Sequence, residues 1–357
     1  MIDVLEYLPK KVNSGPWLTA YTLPELERRI GEASLVLPIC SLGTPLDELE
    51  CLGDFVLPPL YHEALNPSLK SAILTRIDEC FPYYVGTAKH RENTNQLQIV
   101  ELPKKSYQPT CQPRVLSFSV DTAVEEHGPH LPLATDTIQS YAVLRALRDR
   151  YEGFQIGPPV EYGHLTWGLP FGLSIDITPE LLTQYVAGYC NAVLEWCSPE
   201  ALYVVDVHGS VVHRESILNG LKQSRCDRWS FRWLHEPLVE FAGNRGDQHA
   251  GGVETALVEY ISSSLVDAAI WPNGVEELQA GQLSFELACE LTSDLPRFIA
   301  EVESERFNGI VGKIENYFDL DASLLMDRMV SLASADVEGL LSGEEQATPD
   351  HLPDLAD

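Results

Sequence analysis

Glu125 and His127 are separated by one residue in the run Val120-Asp121-Thr122-Ala123-Val124-Glu125-Glu126-His127-Gly128-Pro129-His130-Leu131-Pro132-Leu133-Ala134-Thr135-Asp136. On an extended backbone, side chains two apart point the same way, so this carboxylate and imidazole share a side. Gly128 and Pro129 then break the strand, and Asp136 arrives after a short Leu-Pro-Leu passage. A carboxylate, an imidazole and a second carboxylate on one loop-bearing segment suit a zinc or manganese ion. The same residues also fit an acidic surface turn carrying a stray histidine. Spacing alone leaves both readings open.

His208 is a second candidate. It follows the Val-rich apolar run 201–207, which suits a strand buried on both faces, and Gly209 leaves the imidazole room to enter a sheet-edge crevice. A lone histidine there is more often a satisfied core residue, so by itself His208 decides nothing. His213, a little further on, is expected on a loop surface.

The elements that must position these residues alternate from Arg114 onward. Residues 115–120 read as a strand, 137–150 as a helix and 154–160 as extended chain. Thr178 is placed to cap a helix running to about 196, with Pro179 at its first position. Residues 229–234 read as a strand and 253–265 as a helix with Leu257, Tyr260 and Ile261 facing inward. Strands alternating with helices predict an α/β layered domain with a mostly parallel sheet. Ligands gather at the carboxyl ends of such strands, where the Glu125–Asp136 run and His208 both fall. Toward the end, 286–302 and 321–341 read as helices, the second with Leu324, Leu325 and Met329 on one side. Residues 344–357 are acidic, contain Pro349 and Pro353, and are expected to be disordered.

The first 110 residues repeat the style in shorter form: a helix over 23–32, a strand over 34–39, a helix over 67–80 and a strand over 96–102. A Lys- and Pro-containing linker follows at 104–113.

Composition narrows the classes. Lys+Arg 24 against Asp+Glu 53 gives a formal net charge of -29. Such a field repels phosphate backbones and anionic lipid, so no nucleic-acid or membrane partner is expected, while cations are favoured. No apolar run approaches the roughly 18–20 residues of a membrane span, and the first residues lack the pattern of a signal peptide. The eight cysteines are scattered without a Cys-X-X-Cys pair, which fits free thiols in a reducing cytoplasm; Cys190 and Cys197 are expected simply to pack.

The run from Glu125 to Asp136 resembles the Glu-X-His-Gly-Pro-His-Leu-Pro-Leu-X-Thr-Asp motif of the creatininase (creatinine amidohydrolase) family. Two further motifs follow in order. Asp206-Val207-His208-Gly209-Ser210 is similar to the family's Asn-Gly-His-Gly-Gly-Asn, and His249-Ala250-Gly251-Gly252-Val253-Glu254-Thr255-Ala256 to its His-Ala-Gly-X-X-Glu-Thr-Ser. The resemblance covers about 112–265. It implies a three-layer α/β/α domain with a mostly parallel sheet over 111–342; it leaves residues 1–110 unaccounted for, which their own pattern makes an N-terminal α/β module, and composition makes 343–357 an acidic tail.

In that module, Leu37-Pro38-Ile39-Cys40-Ser41 resembles the family's Leu-Pro-Val-Gly-Ser lead-in to the metal motif. Laid over that motif, Gly43 falls at Glu125, Pro45 at His127 and Asp54 at Asp136, as in a partial repeat that has lost two of its three donors. Chance similarity of two strand–loop segments accounts for the same match.

The resemblance further implies two divalent metal ions (zinc, manganese or iron) held by Glu125, His127, Asp136, His208 and Glu254, with Asp136 as the bridge. Glu254 would make good the metal-binding glutamate that some members carry where this chain has Ser210. Its bland alternative is a first-turn carboxylate facing a helix dipole. His249 is implied as the proton-transfer residue. The implied reaction is hydrolysis of a small non-peptide, cyclic amide, with a metal-bridging hydroxide as nucleophile and His249 protonating the leaving nitrogen. Carbon–carbon hydrolysis of a cyclic polyol ketone would use the same site. A non-catalytic binding protein on this fold is the rival from another class. The family also implies a homo-oligomer, a hexamer.

Specificity is where this sequence departs from its relatives. Creatinine-hydrolysing members carry a Trp-Asp pair four and three residues before the catalytic histidine; here Arg245 and Gly246 stand there, so creatinine is not the expected substrate. His164 and Trp167 replace the family's usual residues and are expected to shape a different pocket, although Trp167 equally suits a core position. Arg245 is expected to meet an anionic or carboxylate-bearing substrate.

Overall fold

The computed structural model describes residues 16–29, 33–84, 97–109, 112–165, 167–172, 174–243, 247, 249–305 and 307–343. The chain enters through α1 (Leu23–Arg29) and lays down β1 (Leu35–Cys40), α2 (Leu46–Glu50), β2 (Phe55–Val56), β3 (Leu60–Tyr61), α3 (Pro67–Tyr84) and β4 (Leu97–Glu101). β1 is central. It pairs in parallel with β2 and β3 on one side and β4 on the other.

The second sheet is built from β5 (Val115–Ser119), α4 (Thr135–Arg150), β6 (Phe154–Ile156), α5 (Pro179–Cys197), β7 (Ala201–Asp206), α6 (Val211–Gln223) and β8 (Trp229–Trp233). Its order is β6-β5-β7-β8 and every described pairing is parallel. Every residue of β5 and β7 is buried, as expected of strands covered on both faces. Then come α7 (His235–Ala242), α8 (Gly252–Ile261), α9 (Val275–Gly281), α10 (Phe285–Thr292), α11 (Leu295–Glu305) and α12 (Ala322–Ser342).

Alternation along the strands assigns the layers. Phe118 and Tyr203 lie on opposite faces, because Ser117, not Phe118, pairs with Tyr203. The Phe118 ring meets Tyr189 of α5 at 4.8 Å, whereas Tyr203 Oη lies 3.1 Å from Asp336 of α12. The second sheet is therefore the middle of three layers, the α/β/α arrangement expected from the sequence.

α5 serves both sheets. Besides Phe118, the Tyr189 ring approaches Tyr61 at the end of β3, at 5.7 Å. One apolar core thus runs without a break from Trp17 to Leu340. The capping reading holds locally: Thr178 accepts the Leu181 backbone N–H and Pro179 opens α5. No described helix is long and apolar enough to cross a membrane. Cys190 and Cys197 are buried, and all seven described cysteines are free.

Several expectations are corrected. The helix expected over 253–265 stops at Ile261, with Ser263–Leu265 a separate 3-10 turn; Leu257 is buried but Tyr260 is exposed. Leu325 and Met329 face the core from α12, whereas Leu324 faces solvent. The single tail helix is two, divided at Ser293-Asp294, where the Asp294 carboxylate accepts the Arg297 N–H and restarts the chain. His213, expected on a loop surface, is fully buried on α6. The disorder expected of 344–357 concerns residues outside those described.

A candidate two-metal centre at the carboxyl end of the second sheet

β5 ends at Ser119, and Val120 extends it by one bridge to Val160. Gly128 takes φ 66°, a left-handed conformation that suits glycine, and turns the chain toward α4. Asp136 lies in the first turn of α4, so its carboxylate returns to the strand end. His208 lies two residues beyond the end of β7. His249 forms an antiparallel bridge with Val311, and Ala250 at φ 54° swings the chain from that bridge into α8. The turn carries Glu254 back over the site, where its carboxylate accepts the Ala250 N–H. Glu125, His127, Asp136, His208, His249 and Glu254 are all buried.

Asp136 sits between two donor sets. Its Oδ2 lies 3.2 Å from His208 Nδ1, which is also 3.2 Å from Glu125 Oε2. Its Oδ1 lies 3.3 Å from His127 Nε2, which is 4.0 Å from Glu254 Oε2. Two donors on one zinc ion, with bonds of about 2.0–2.2 Å and tetrahedral angles, stand roughly 3.3–3.6 Å apart. The separations of 3.2, 3.2 and 3.3 Å lie at the lower edge of that spacing, and the 4.0 Å one lies beyond it. The groupings that could hold a metal include Glu125–His127–Asp136 and His127–His249–Glu254.

Backbone carbonyls bound at the far nitrogen fix which nitrogen of each histidine is free. His127 Nδ1 lies 3.1 Å from the Glu125 carbonyl and donates to it, and Nε2, fully buried, has no hydrogen-bond partner. His208 Nε2 donates to the His164 carbonyl at 3.1 Å, leaving Nδ1 toward the carboxylates. His249 Nε2 donates to the Glu126 carbonyl at 2.7 Å, so Nδ1, 4.0 Å from Glu125 Oε1, carries the lone pair. Metal-binding histidines are commonly held by such N–H donors on their far nitrogen. A buried, unpartnered Nε2 beside two carboxylates is the feature that fits this set to a metal.

The electrostatics agree. Burial opposes charge on Asp136, yet His127 and His208 hold its carboxyl well below the ordinary value, and His208 and His249 lower Glu125. Against burial, Asp136, Glu254 and Glu125 push His127 up to about 10, and Glu125 and Asp136 raise His208 well above its ordinary value. Burial raises Glu254 to about 7. Burial and neighbouring His127 lower His249 to about 4, so it is neutral near pH 7. A carboxylate cluster that draws positive charge onto its imidazoles can meet the same demand with a divalent cation.

Some expected residues take other parts. His164 reaches the site through its backbone carbonyl, while its side chain lies against Asp176 at 2.9 Å. Trp167 packs on the tail: Nε1 donates to Thr292 at 2.9 Å and the ring meets Phe285 edge-on. Its neighbour Gly168 passes close to the Glu125 side chain, which places Trp167 at the rim. Arg245 and Gly246 lie outside the described residues. His213 accepts the His164 N–H at Nδ1 and donates from Nε2 to the Val120 carbonyl, bracing the strand end.

Two polar residues at the centre escaped the sequence reading. Thr122 Oγ1 lies 2.6 Å from Asp136 Oδ2 and 3.3 Å from His208 Nδ1, and also hydrogen-bonds to Glu125. Gln139 donates to Glu254 Oε1 at 3.3 Å. Gln139 follows Asp136 by one helical turn, a spacing that would have found it; nothing local marks Thr122.

The family model for Creatininase: Creatinine amidohydrolase matches residues 122–313. The chain belongs to this family. Among similar proteins, this chain is 32% identical over 152 residues to a mycofactocin precursor peptide peptidase of Mycobacterium ulcerans, covering 40% of this chain and 57% of that protein. The peptidase of the same name from Mycolicibacterium smegmatis is 24% identical over 229 residues, covering 63% of this chain and 76% of its own length. The chain therefore spans little more than half of the first of these relatives. Solved creatininase structures are also similar: one with Mn at 15% identity and TM-score 0.47, covering 64% of this chain and 91% of that one, and a creatinine amidohydrolase at 15% and 0.46, covering 66% and 92%.

Proposed function

We propose that this chain is a two-metal hydrolase that cleaves an amide bond in a peptide substrate. The observation that carries the reading is Asp136, which turns one oxygen toward His208 and the other toward His127. In this proposal Glu125, Asp136 and His208 hold one divalent ion, and His127, Asp136 and Glu254 hold the other. When bound, such a pair lowers the pKa of a water and polarises a carbonyl. The protein's own part is positional and protonic. The carbonyls of Glu125 and His164 keep His127 and His208 oriented. His249, neutral near pH 7, takes a proton at Nδ1 and delivers it to the leaving nitrogen.

The peptide is favoured by the names of the relatives, which are peptide peptidases. That moves the expected substrate away from the small non-peptide amide of the sequence reading. The Thr122 hydroxyl lies within hydrogen-bond distance of both Glu125 and Asp136 and donates its one proton to either of them. Seven free thiols among the described residues support a reducing, cytoplasmic setting.

Elemental analysis of protein purified without chelators, together with mass-spectrometric screening of peptide cleavage, tests the reading. About two zinc, manganese or iron ions per chain are expected, with fewer in Glu254→Ala and metal-dependent release of a peptide fragment. A wild-type protein that takes up no divalent metal on titration would overturn it.

A further inference from the structure

We propose that Arg76 is a positioning residue for His208, acting through Asp176 and His164, so that helix α3 of the N-terminal region is a working part of the metal centre. This rests on the two-metal reading above. Arg76 lies on α3, outside the segment that matches the family model, and nothing in its sequence neighbourhood marks it.

The relay is continuous. Arg76 Nε donates to the Asp176 carbonyl at 3.0 Å while Nη2 bonds the carboxylate of the same residue at Oδ2. The other oxygen, Asp176 Oδ1, accepts the Leu165 N–H at 2.9 Å and lies 2.9 Å from His164 Nδ1. Gly163 is bridged in parallel to Asp176, and its carbonyl accepts the Ile177 N–H at 2.9 Å. His164 is held at its own N–H by His213 Nδ1, at 3.1 Å. What this clamp holds still is the His164 carbonyl, the acceptor of the His208 Nε2–H.

The chemistry follows from that acceptor. An imidazole with Nε2–H committed to a fixed carbonyl must present Nδ1 as its lone-pair nitrogen, and here Nδ1 faces Glu125 and Asp136. Free the carbonyl and the ring can rotate, or take the tautomer with its proton on the wrong nitrogen. The two-pronged grip suits arginine, whose planar fork spans a carboxylate and a carbonyl together; lysine offers one point charge. Its setting also differs from an ordinary surface pair. Asp176 is 7% exposed in its side chain, whereas Glu101, the partner of Lys70 on the same helix, is 51% exposed. Exposed pairs of the second kind contribute little.

Stepwise cobalt(II) titration followed by visible absorption, with total metal checked by elemental analysis, reads the relay without using turnover. In Arg76→Ala, one of the two binding steps should weaken by roughly tenfold or more, the range seen when the hydrogen-bond partner that orients a metal-binding histidine is lost. The other step should stay within about twofold. Arg76→Lys should recover part of the loss, and Lys70→Ala should change neither step. Asp176→Asn keeps the side-chain shape and should reproduce the Arg76→Ala result, which decides the matter should Arg76→Ala fail to fold. Two unchanged steps in the Arg76 and Asp176 variants would overturn the relay and leave the metal centre standing, as would equal weakening of both steps alongside a lowered melting temperature. A wild-type protein that binds no cobalt would overturn the metal reading itself, and the relay with it.

Discussion

At the carboxyl end of β5 the chain carries Glu125, His127 and, after one turn, Asp136, all buried and facing one another. β1 occupies the same place in the first sheet. Both central strands pair in parallel with the next strand on one side and a later one on the other. From Leu35↔Phe55 to Cys40↔Tyr61, and again from Val115↔Phe154 to Val120↔Val160, the neighbouring strand advances one residue more than the central one. The pairs Leu35↔Leu97 to Ile39↔Glu101 match Val115↔Ala201 to Ser119↔Val205 in the same way. These registers lay residues 35–39 over 115–119. The pairing sets Leu35 opposite Val115 in that overlay, two residues out of step with the motif-based one. Pro45 and Asp47, both exposed, then stand at the places of Glu125 and His127.

The difference is instructive. A parallel sheet supplies a crevice at its strand ends, but a site needs donors there and segments to close over them. The second sheet has both: α8 brings Glu254, and the Val311 bridge holds His249. In the first sheet α2 follows β1 closely, and its acids are placed otherwise: Asp47 is exposed, Glu48 accepts from Lys105 and Tyr107, and Glu50 accepts from Trp17. What the N-terminal region contributes instead is packing, through Tyr61 on Tyr189, and the Arg76 grip on Asp176.

The sharpest way to break this contrast is at Asp136. Asp136→Ala should empty both donor sets, with metal falling from about two per chain to none and turnover dropping by roughly 10³-fold or more. Elemental analysis and a cleavage assay read both, and metal retained at full stoichiometry would place binding elsewhere, the first sheet included. Next, His249→Gln should keep both metals and lose about 10²-fold or more in kcat, the scale of a general acid–base contribution; full turnover would remove His249 from the reaction.

Smaller effects sharpen the comparison from the structural side. Gly43, at the end of β1, has φ 81° with a Cβ position 3.0 Å from Trp196 and Tyr107. Gly43→Ala should cost about 1–2 kcal/mol in unfolding free energy by denaturant titration, while leaving metal content unchanged. A change in metal content there would mean that the first sheet holds metal after all. The smallest is a pH effect at His213, which burial and neighbouring His208 lower from 6.5 to about 3. A histidine whose folded-state pKa lies below its unfolded value binds its proton preferentially in the unfolded chain. Its stabilising share is therefore intact above about pH 6.5 and shrinks as pH falls toward 3. Melting temperature should decline less steeply between pH 6.5 and 4 in His213→Gln than in wild type; parallel curves would exclude a buried neutral imidazole.

Much of this was legible before any coordinates. The Val-rich run at 201–207 reads as a strand because five consecutive apolar residues without alternation suit a doubly covered strand, and β7 is buried at every position. Thr178-Pro179 caps α5 by local hydrogen bonding, which needs no tertiary help. The errors fall where periodicity was asked to name the covering partner. Tyr260 and Leu324 carry the right spacing, yet each stands at the edge of its helix's apolar stripe and faces solvent. α6 begins immediately after the His208 motif, where Gly209 and Ser210 disguise its start; Ser210 proves to be its cap, accepting the His213 N–H.

By itself the sequence determined the local setting: Glu125 and His127 two apart on a segment that follows a strand, Asp136 beside the start of a helix, and His208 just past a buried strand. Those follow from backbone periods and capping, which act over a few residues. That Asp136 lies inside the first turn of α4 came from the structure. Only the tertiary structure decided that Glu254 closes on His127, that the carbonyls of Glu125, Glu126 and His164 select the free nitrogen of each histidine, and that Arg76 reaches Asp176. Each of the long-range links depends on which packed element covers which, and the hydrophobic effect that drives such packing is non-directional. A hydrophobic pattern records that a face is buried, and leaves its partner to the fold.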